Sequence, residues 1–194
     1  MFDRDSVIVG KEALRAAALE PDLVVRFAKR EMGNRHLART IAGRNDWSPE
    51  MIQSFILKRL KDDAEKIIGP FSKAVITVPA YFNDPRRNST EEAGKLAGID
   101  VLDIINEPSA AALAYVNARP EPAGDKRGEI ILVYDLGGGT FDVTLVEVTG
   151  DRIQTLATDG DVKLGGCDWD SAIVDYIAEQ YGGQNRGIDP REDP

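Results

Sequence analysis

Three consecutive glycines at residues 137–139 lie between two segments of strand-like composition and are flanked by Asp135 and Asp142. Glycine has no Cβ, so a phosphate can approach the bare backbone N–H groups, and successive turn conformations can direct several of them at one anion. Thr140 adds a hydroxyl group. Two carboxylates beside a phosphate require a cation between them, most naturally Mg²⁺ with its waters. The spacing therefore indicates a phosphate-binding loop, and the alternative is a glycine-rich hairpin with a solvated aspartate at each end.

Three further positions carry candidate chemistry, and each also has a simpler structural explanation. Glu107 precedes Pro108 at a predicted helix start, where the helix dipole favours a carboxylate, so it is either a cap or a functional group. Lys29 lies beside the apolar stripe of a predicted helix and is either solvated or catalytic. Gly165 and Gly166 precede another helix start, where paired glycines bind an anion or form a tight turn. The glycine loop is not a Walker loop, because it joins strand to strand, and no Rossmann glycine pattern occurs.

Composition restricts the classes of protein to which the chain can belong. Its 194 residues are 42% hydrophobic and 29% charged, which is typical of a soluble globular protein. No apolar run approaches the ~20 residues of a membrane span, and the charged start predicts no secretory signal. Cys167 and His36 are the only residues of their types, which excludes a disulfide framework and a His/Cys zinc site and fits a reducing cytoplasm. Since a net charge of −9 repels nucleic acid, we expect a cytoplasmic protein that binds neither nucleic acid nor membrane.

The first part of the chain is predicted to be mostly helical. The pattern predicts helices over residues 10–19 and 22–33 and a short strand at residues 39–42. Ser48 is the predicted cap of a long amphipathic helix, Pro49–Ile68, with apolar residues at 3.6-residue spacing.

Strands and helices alternate in the next part of the chain. Strands are predicted at residues 73–78 and 101–106. One helix is predicted to start at Pro85, with Asp84 as its cap, and to end near Gly98, and a second to cover residues 108–118. This order predicts parallel strands, with the first strand buried on both faces. The remainder is predicted to form an antiparallel three-stranded meander and a helix over residues 168–181. The side chains of that helix predicted to face the core are Trp169, Ile173, Tyr176, Ile177 and Tyr181.

Five segments, taken together and in order, resemble one known family. They read AKREMG, VITVPAYFNDPRR, AGIDVLDIINEPSAAALAY, VYDLGGGTFDVTL and ATDGDVKLGGCDWD. The combination strongly resembles the nucleotide-binding domain of DnaK-type chaperones, the heat shock protein 70 family. The resemblance implies an α/β protein with an incomplete actin-like ATPase (ribonuclease H-like) fold and a peripheral helical subdomain.

The same resemblance implies a division of the chain into two lobes. Residues 1–118 would be part of lobe I, comprising the peripheral helical subdomain and half of the central sheet. Residues 119–128 would form a connection. Residues 129–194 would begin lobe II with the meander, the following helix and a tail.

The resemblance also implies a nucleotide site with ATP or ADP, Mg²⁺ and potassium as its ligands. The positions that match the family's second phosphate-binding loop, around the β- and γ-phosphates, are Gly137, Gly138, Gly139 and Thr140. Asp135 and Asp142 match positions near Mg²⁺, its waters and bound potassium, so both are expected to reach the metal through water.

Further functional residues follow from the resemblance. Lys29 matches the lysine that holds the γ-phosphate and the attacking water in line, and Glu107 matches the glutamate that links the nucleotide to a proline switch. Pro79 and Arg87 match that switch. Catalytic roles are thus expected for Lys29, Glu107, Asp135 and Asp142, and Gly165 with Gly166 is added to the predicted cofactor site as an anion-binding helix start.

The sequence departs from the family pattern at several points. The first phosphate loop of the family, similar to Asp-Leu-Gly-Thr-Thr, is not found, so we expect the chain to begin partway into lobe I. Cys167 stands where an acidic residue is usual, and Val162 with Lys163 replaces a common Thr-His pair. Because catalysis of this kind depends on placement, we expect the 194 residues alone to hydrolyse ATP poorly.

The function expected from the resemblance is that of an ATPase-domain fragment of a DnaK-type chaperone. Such a protein couples ATP hydrolysis to the binding and release of unfolded peptides during stress. Its expected partners are a J-domain co-chaperone, a nucleotide exchange factor and, through a domain outside this sequence, unfolded polypeptide. The alternatives are a nonhydrolysing nucleotide sensor or scaffold of the same family, and another actin-like ATPase such as a sugar kinase.

Overall fold

The described part of the chain is a mixed α/β structure built on a parallel strand pair and a three-stranded antiparallel sheet. The structure is a computed structural model that describes residues 1–3, 6–118, 128–150, 152–185 and 188–192. The predicted connection at residues 119–128 lies outside the described residues, except for its last residue.

The segment before residue 48 contains less helix than the sequence predicts. An antiparallel pair of strands, β1 (Phe2–Asp3) and β2 (Ser6–Val7), which was not predicted, comes before α1 (Lys11–Ala16). The predicted helix over residues 22–33 is wrong, because two 3₁₀ turns, Pro21–Leu23 and Ala28–Glu31, take its place.

The backbone between these turns explains the difference. Val24 is extended, as its branched Cβ favours, and Phe27 has a φ of 60°, which no right-handed helix contains. The predicted strand at residues 39–42 is also wrong: a single bridge joins Ile41 to Arg44, and the intervening Ala42 has a φ of 50°.

The 3₁₀ turn Ala28–Glu31 is fixed by core residues on both sides. Ala28 packs in a cluster with Ile41 and Trp47, among others, and Met32 packs in a second cluster with Val78. Lys29 and Arg30, between these two anchors, are therefore held in a defined place.

The long helix α2 (Pro49–Ile68) confirms the sequence prediction. The Ser48 side chain accepts a hydrogen bond from the Met51 N–H at 3.3 Å and so caps the helix. The apolar stripe does not stay in the core along its whole length, since the Ile67 and Ile68 side chains at its end are exposed.

The predicted βαβα unit is confirmed. It consists of β3 (Lys73–Val78), α3 (Asp84–Leu96), β4 (Asp100–Asn106) and α4 (Glu107–Asn117), and β3 pairs with β4 in parallel. The cap of α3 is Asn83, one residue before the predicted Asp84. β3 is not buried on both faces as predicted: Val78 is buried, whereas Val75 is half exposed.

The predicted meander is also confirmed. It consists of β5 (Glu129–Leu136), β6 (Phe141–Thr149) and β7 (Arg152–Asp161), each antiparallel to the next. α4 packs on this sheet through a cluster that contains Ala112 and Val146.

The last long helix, α5 (Gly166–Gln184), does not bury the predicted side chains. All five residues expected to face the core are at least 46% exposed, and Ala178 is the buried residue of the helix. Among the described residues, no core cluster includes that face of the helix. Within the same ranges, no helix has both the length and the apolar character needed to cross a membrane.

Candidate functional site

The three glycines form the tight turn between β5 and β6, as predicted. The N–H of Gly137 donates to the carbonyl of Thr140 at 2.9 Å, which closes the turn. Within the described part of the chain, the N–H groups of Gly138, Gly139 and Thr140 donate no hydrogen bond. A Cβ added at Gly138 would meet nothing within 4 Å. The turn therefore offers three uncommitted donors, and at Gly138 its backbone is open to an anion.

The start of α5 packs directly against this turn. The N–H groups of Gly166 and Cys167 donate to the carbonyls of Gly137 and Gly138, at 3.1 and 2.9 Å. A Cβ at Gly165 would lie 2.5 Å from the nitrogen of Gly139 and 2.7 Å from the carbonyl carbon of Gly138, so only glycine fits there. The first N–H groups of α5 are thus already engaged by the turn. Gly165 and Gly166 act here as its support, and their direct contact with an anion stays a prediction.

Lys29 and Glu107, which are far apart in sequence, form an ion pair. The Lys29 Nζ donates to Glu107 Oε1 at 2.7 Å, and the two side chains are 42% and 20% exposed. Glu107 is the first residue of α4, so it lies at the positive end of that helix. A pair this exposed contributes at most about 1 kcal/mol to stability, so its significance lies in what it places together.

Asp142 is the buried carboxylate of the site. Its side chain is 3% exposed, its Oδ1 has no hydrogen-bond partner, and it lies opposite Asp135 in the β5–β6 register. Burial raises the pKa of Asp142, the charges of Glu107 and Asp135 raise it further, and the Ala80 N–H and the Lys29 charge oppose the shift. An orphaned buried carboxylate oxygen is costly, and a hydrated cation would satisfy it.

The described residues hold no group of three or more His, Cys, Asp or Glu side chains placed to bind a metal directly. Asp135 and Asp142 are two carboxylates on neighbouring strands. Such a donor set fits a cation that keeps most of its waters, as Mg²⁺ does.

Pro79 and Arg87 belong to one hydrogen-bonded unit beside the carboxylates. Pro79 is fully buried at the end of β3. Arg87, on α3, donates to the Phe82 carbonyl at 2.9 Å, to the Ala80 carbonyl at 3.4 Å and to Asn106 Oδ1 at 2.6 Å. Arg87 therefore ties the turn after β3 to the end of β4, immediately before Glu107.

The sequence reasoning missed Arg30 and Asp168. The Arg30 Nε donates to the Gly139 carbonyl at 2.7 Å, and its Nη1 and Nη2 donate to the two carboxylate oxygens of Asp168, with Nη1 at 2.9 Å from Oδ1. The hydrogen bond to Asp168 raises the pKa of Arg30, and the same contact lowers the pKa of Asp168. Arg30 follows Lys29 and Asp168 lies two residues after Gly166, so their positions next to predicted site residues could have drawn attention to them. The sequence gives no sign that the two pair, because they are 138 positions apart.

Comparisons with known proteins agree with this geometry. A sequence model of the family described as "Hsp70 protein" matches residues 36–194. The chain belongs to the Hsp70 family. This Hsp70 chain is 44% identical over 194 residues to the chaperone protein DnaK of Cenarchaeum symbiosum. It is 47% identical over 197 residues to DnaK of Thermoplasma volcanium and 47% identical over 190 residues to DnaK of Thermotoga maritima.

These alignments take in nearly all of this Hsp70 chain but a minor part of its relatives. They cover 99%, 99% and 96% of the chain, and 28%, 30% and 30% of the respective relatives. Lys29 lies outside the residues matched by the family model, whereas the alignments covering 99% of the chain include it. The predicted family resemblance is confirmed.

Proposed function

We propose that this chain is part of the ATP-binding domain of a DnaK-type chaperone with an actin-like ATPase fold. The observation that carries the proposal is the Lys29–Glu107 ion pair beside Asp142, whose pKa responds to both charges. A lysine, two carboxylates and an open glycine turn from distant parts of the chain meet at one place, as phosphoryl transfer requires.

Each group has a distinct part in the proposed reaction. The N–H groups of Gly138, Gly139 and Thr140 bind phosphate oxygens. Lys29 leaves Glu107 to hold the γ-phosphate and the water that attacks it in line. Asp135 and Asp142 would hold Mg²⁺ through water, and the orphaned Oδ1 of Asp142 fits that role. The metal, when bound, neutralises charge on the phosphates, and potassium near the same carboxylates would do likewise.

The unit around Arg87 supplies a physical link from the nucleotide to the rest of the protein. If a phosphate replaces Glu107 as the partner of Lys29, the Glu107 side chain is released from its ion pair. Asn106, the residue before Glu107, accepts a hydrogen bond from Arg87, so a shift of Glu107 would be felt at Arg87. Arg87 also holds the backbone after Pro79 through the Ala80 carbonyl. Pro79 and Arg87 are therefore proposed as the switch that reports the nucleotide state.

Several finer points belong to the same proposal. Residues 1–118 are assigned to lobe I, residues 119–128 to the connection and residues 129–194 to lobe II. Coupling to unfolded polypeptide, a J-domain co-chaperone and a nucleotide exchange factor, and a place in the cytoplasm, are proposed for the whole protein.

The alternative of a nonhydrolysing sensor or scaffold rests on the departures at Cys167 and Lys163. Cys167 contacts the glycine turn through its backbone N–H, which any residue other than proline supplies. The Lys163 side chain is exposed. Neither observation argues against an ATPase.

Substitution of Lys29 in the full-length protein tests the proposal. We expect Lys29→Ala to bind Mg·ATP within about fivefold of the parent and to lose ATP turnover by about a hundredfold or more. The reason is that the substitution removes the positive charge that stabilises the transferred phosphoryl group. The matched control Lys58→Ala removes an exposed lysine of α2 and should change neither quantity.

Binding would be measured by calorimetry and turnover by phosphate release. A parent protein that binds no Mg·ATP would contradict the proposal. Binding without turnover in the parent would favour the sensor or scaffold instead.

A further inference from the structure

Three successive carbonyl groups of the glycine turn are held from the same side. The carbonyls of Gly137 and Gly138 accept the N–H groups of Gly166 and Cys167, and the carbonyl of Gly139 accepts the Nε–H of Arg30. The three donors are neighbours, because Arg30 is paired to Asp168 in the first turn of α5.

The trans geometry of the peptide bond determines where the N–H groups of the glycine turn point. The described part of the chain contains no cis peptide bond, and in a trans peptide the C=O and N–H point in opposite directions. Three carbonyls held on one side therefore leave the N–H groups of Gly138, Gly139 and Thr140 directed to the other side. A donor hydrogen-bonded to a carbonyl also polarises the N–H of the same peptide unit.

Arg30 differs from the other two supports because it acts through a side chain. All three of its guanidinium nitrogens are engaged, one by Gly139 and two by Asp168. Asp168 in turn accepts the N–H of Gly165 at 2.8 Å through Oδ2. A Cβ at Gly139 would lie 3.3 Å from the Arg30 Nε, so the guanidinium lies directly against the turn. Lysine has no planar fork and cannot make these contacts together.

We propose that Arg30 is a positioning residue that orients the N–H groups of residues 138–140 toward a single phosphate-type anion. It does so by holding the Gly139 carbonyl and the start of α5 as one rigid unit. Because Arg30 follows Lys29 in the 3₁₀ turn Ala28–Glu31, the same contacts set where Lys29 lies relative to the glycine turn. The inference rests on the proposed function only in identifying the anion with the phosphates of a nucleotide.

The test uses inorganic pyrophosphate as the probe and the backbone amide signals of residues 138–140 as the readout. ¹H–¹⁵N spectra would be recorded during titration of the parent, Arg30→Gln, Arg30→Lys and Arg26→Gln. Arg26 is an exposed arginine whose guanidinium lies over the Phe27 ring, so Arg26→Gln removes the same charge nearby without touching the turn.

We expect the amide signals of Gly138, Gly139 and Thr140 to shift in the parent and in Arg26→Gln. Arg30→Gln and Arg30→Lys should bind pyrophosphate about tenfold more weakly, since a hydrogen bond to a charged group is lost and the amides diverge. Arg30→Lys separates orientation from charge, because it keeps the charge and loses the fork. Asp168→Asn, which breaks the same contact from α5, should weaken binding in the same way and serves where the Arg30 variants do not fold.

Two results would overturn the inference: binding by Arg30→Gln and Asp168→Asn at the parent affinity, or no shift of residues 138–140 in the parent. Titration with Mg·ADP separates this outcome from failure of the proposed function. If Mg·ADP does not bind while pyrophosphate shifts the three amides in an Arg30-dependent way, the positioning role stands and the nucleotide assignment falls.

Discussion

At the scale of single residues, Asp142 shows most clearly that stability has been given up at this site. Its carboxyl is buried with one oxygen unpartnered, and its pKa is raised above the ordinary 3.8. The native state therefore binds this proton more tightly than the unfolded chain does. The stability that the protonated Asp142 carboxyl contributes to the free energy of unfolding is fully present below pH 3.8. It is lost as the pH rises through the raised pKa.

Asp142→Asn removes this titration and keeps an acceptor for the Ala80 N–H. We expect the variant to melt at a higher temperature than the parent at pH 7 and at the same temperature as the parent below the ordinary pKa of aspartate. Mg²⁺-dependent nucleotide binding should fall by about tenfold or more. Thermal melts from pH 3.5 to 8 check the first expectation, with Asp62→Asn, an exposed α2 position, as the control. A lower melting temperature at pH 7 would show that the ionised carboxylate stabilises the fold.

At the scale of elements, the glycine turn packs so closely against Gly165 that no room is left there for a side chain. We expect Gly165→Ala to lower the free energy of unfolding by about 1–3 kcal/mol, because its Cβ would overlap backbone atoms of residues 137–139 that cannot move away independently. Nucleotide binding should weaken in parallel.

The control for that substitution lies within α5, the helix that Gly165 precedes. Gly183 has no atom within 4 Å of an added Cβ, so Gly183→Ala should leave stability unchanged or raise it by up to about 1 kcal/mol. Denaturant unfolding of both variants compares them directly. Equal stability of the two variants would show that the turn and α5 do not pack as described.

The elements predicted correctly from sequence are those with strong local signals. α2 has a Ser-Pro start and a clear apolar period, and β3, β4 and the meander are short apolar runs between turn residues. The predicted helix over residues 22–33 failed because Val24 and Phe27 take backbone conformations set by tertiary packing, which local propensity does not contain. The apolar face of α5 was read as core-facing because its period is helical, but a period does not say what covers the face.

For the site as well, features with a local sequence signal were predicted, and contacts between distant residues were not. The glycine turn was visible from three adjacent residues and two flanking aspartates. Lys29 and Glu107 gained functional roles only through the family resemblance, and their contact joins residues 78 positions apart. Arg30 was missed altogether, because its partners at Gly139 and Asp168 are distant in sequence.

At the scale of the whole molecule, the site exists only when distant segments meet. Lys29 comes from the 3₁₀ turn before α2, Glu107 from the start of α4, and the carboxylates and the glycine turn from the antiparallel sheet. α4 connects these parts, because its first residue pairs with Lys29 while its buried face packs on the sheet. A nucleotide bound here would therefore contact the Lys29 turn, the start of α4 and the antiparallel sheet at once, and it would stabilise their arrangement.

The most direct test of the central claim is a crystal structure of the protein with Mg·ADP. We predict that the β-phosphate lies within hydrogen-bond distance of the N–H groups of Gly138 or Gly139, and that Asp142 faces the metal through water. A nucleotide bound elsewhere, or one held by Gly165 and Gly166 with the glycine turn unoccupied, would contradict the assignment of this turn as the phosphate site.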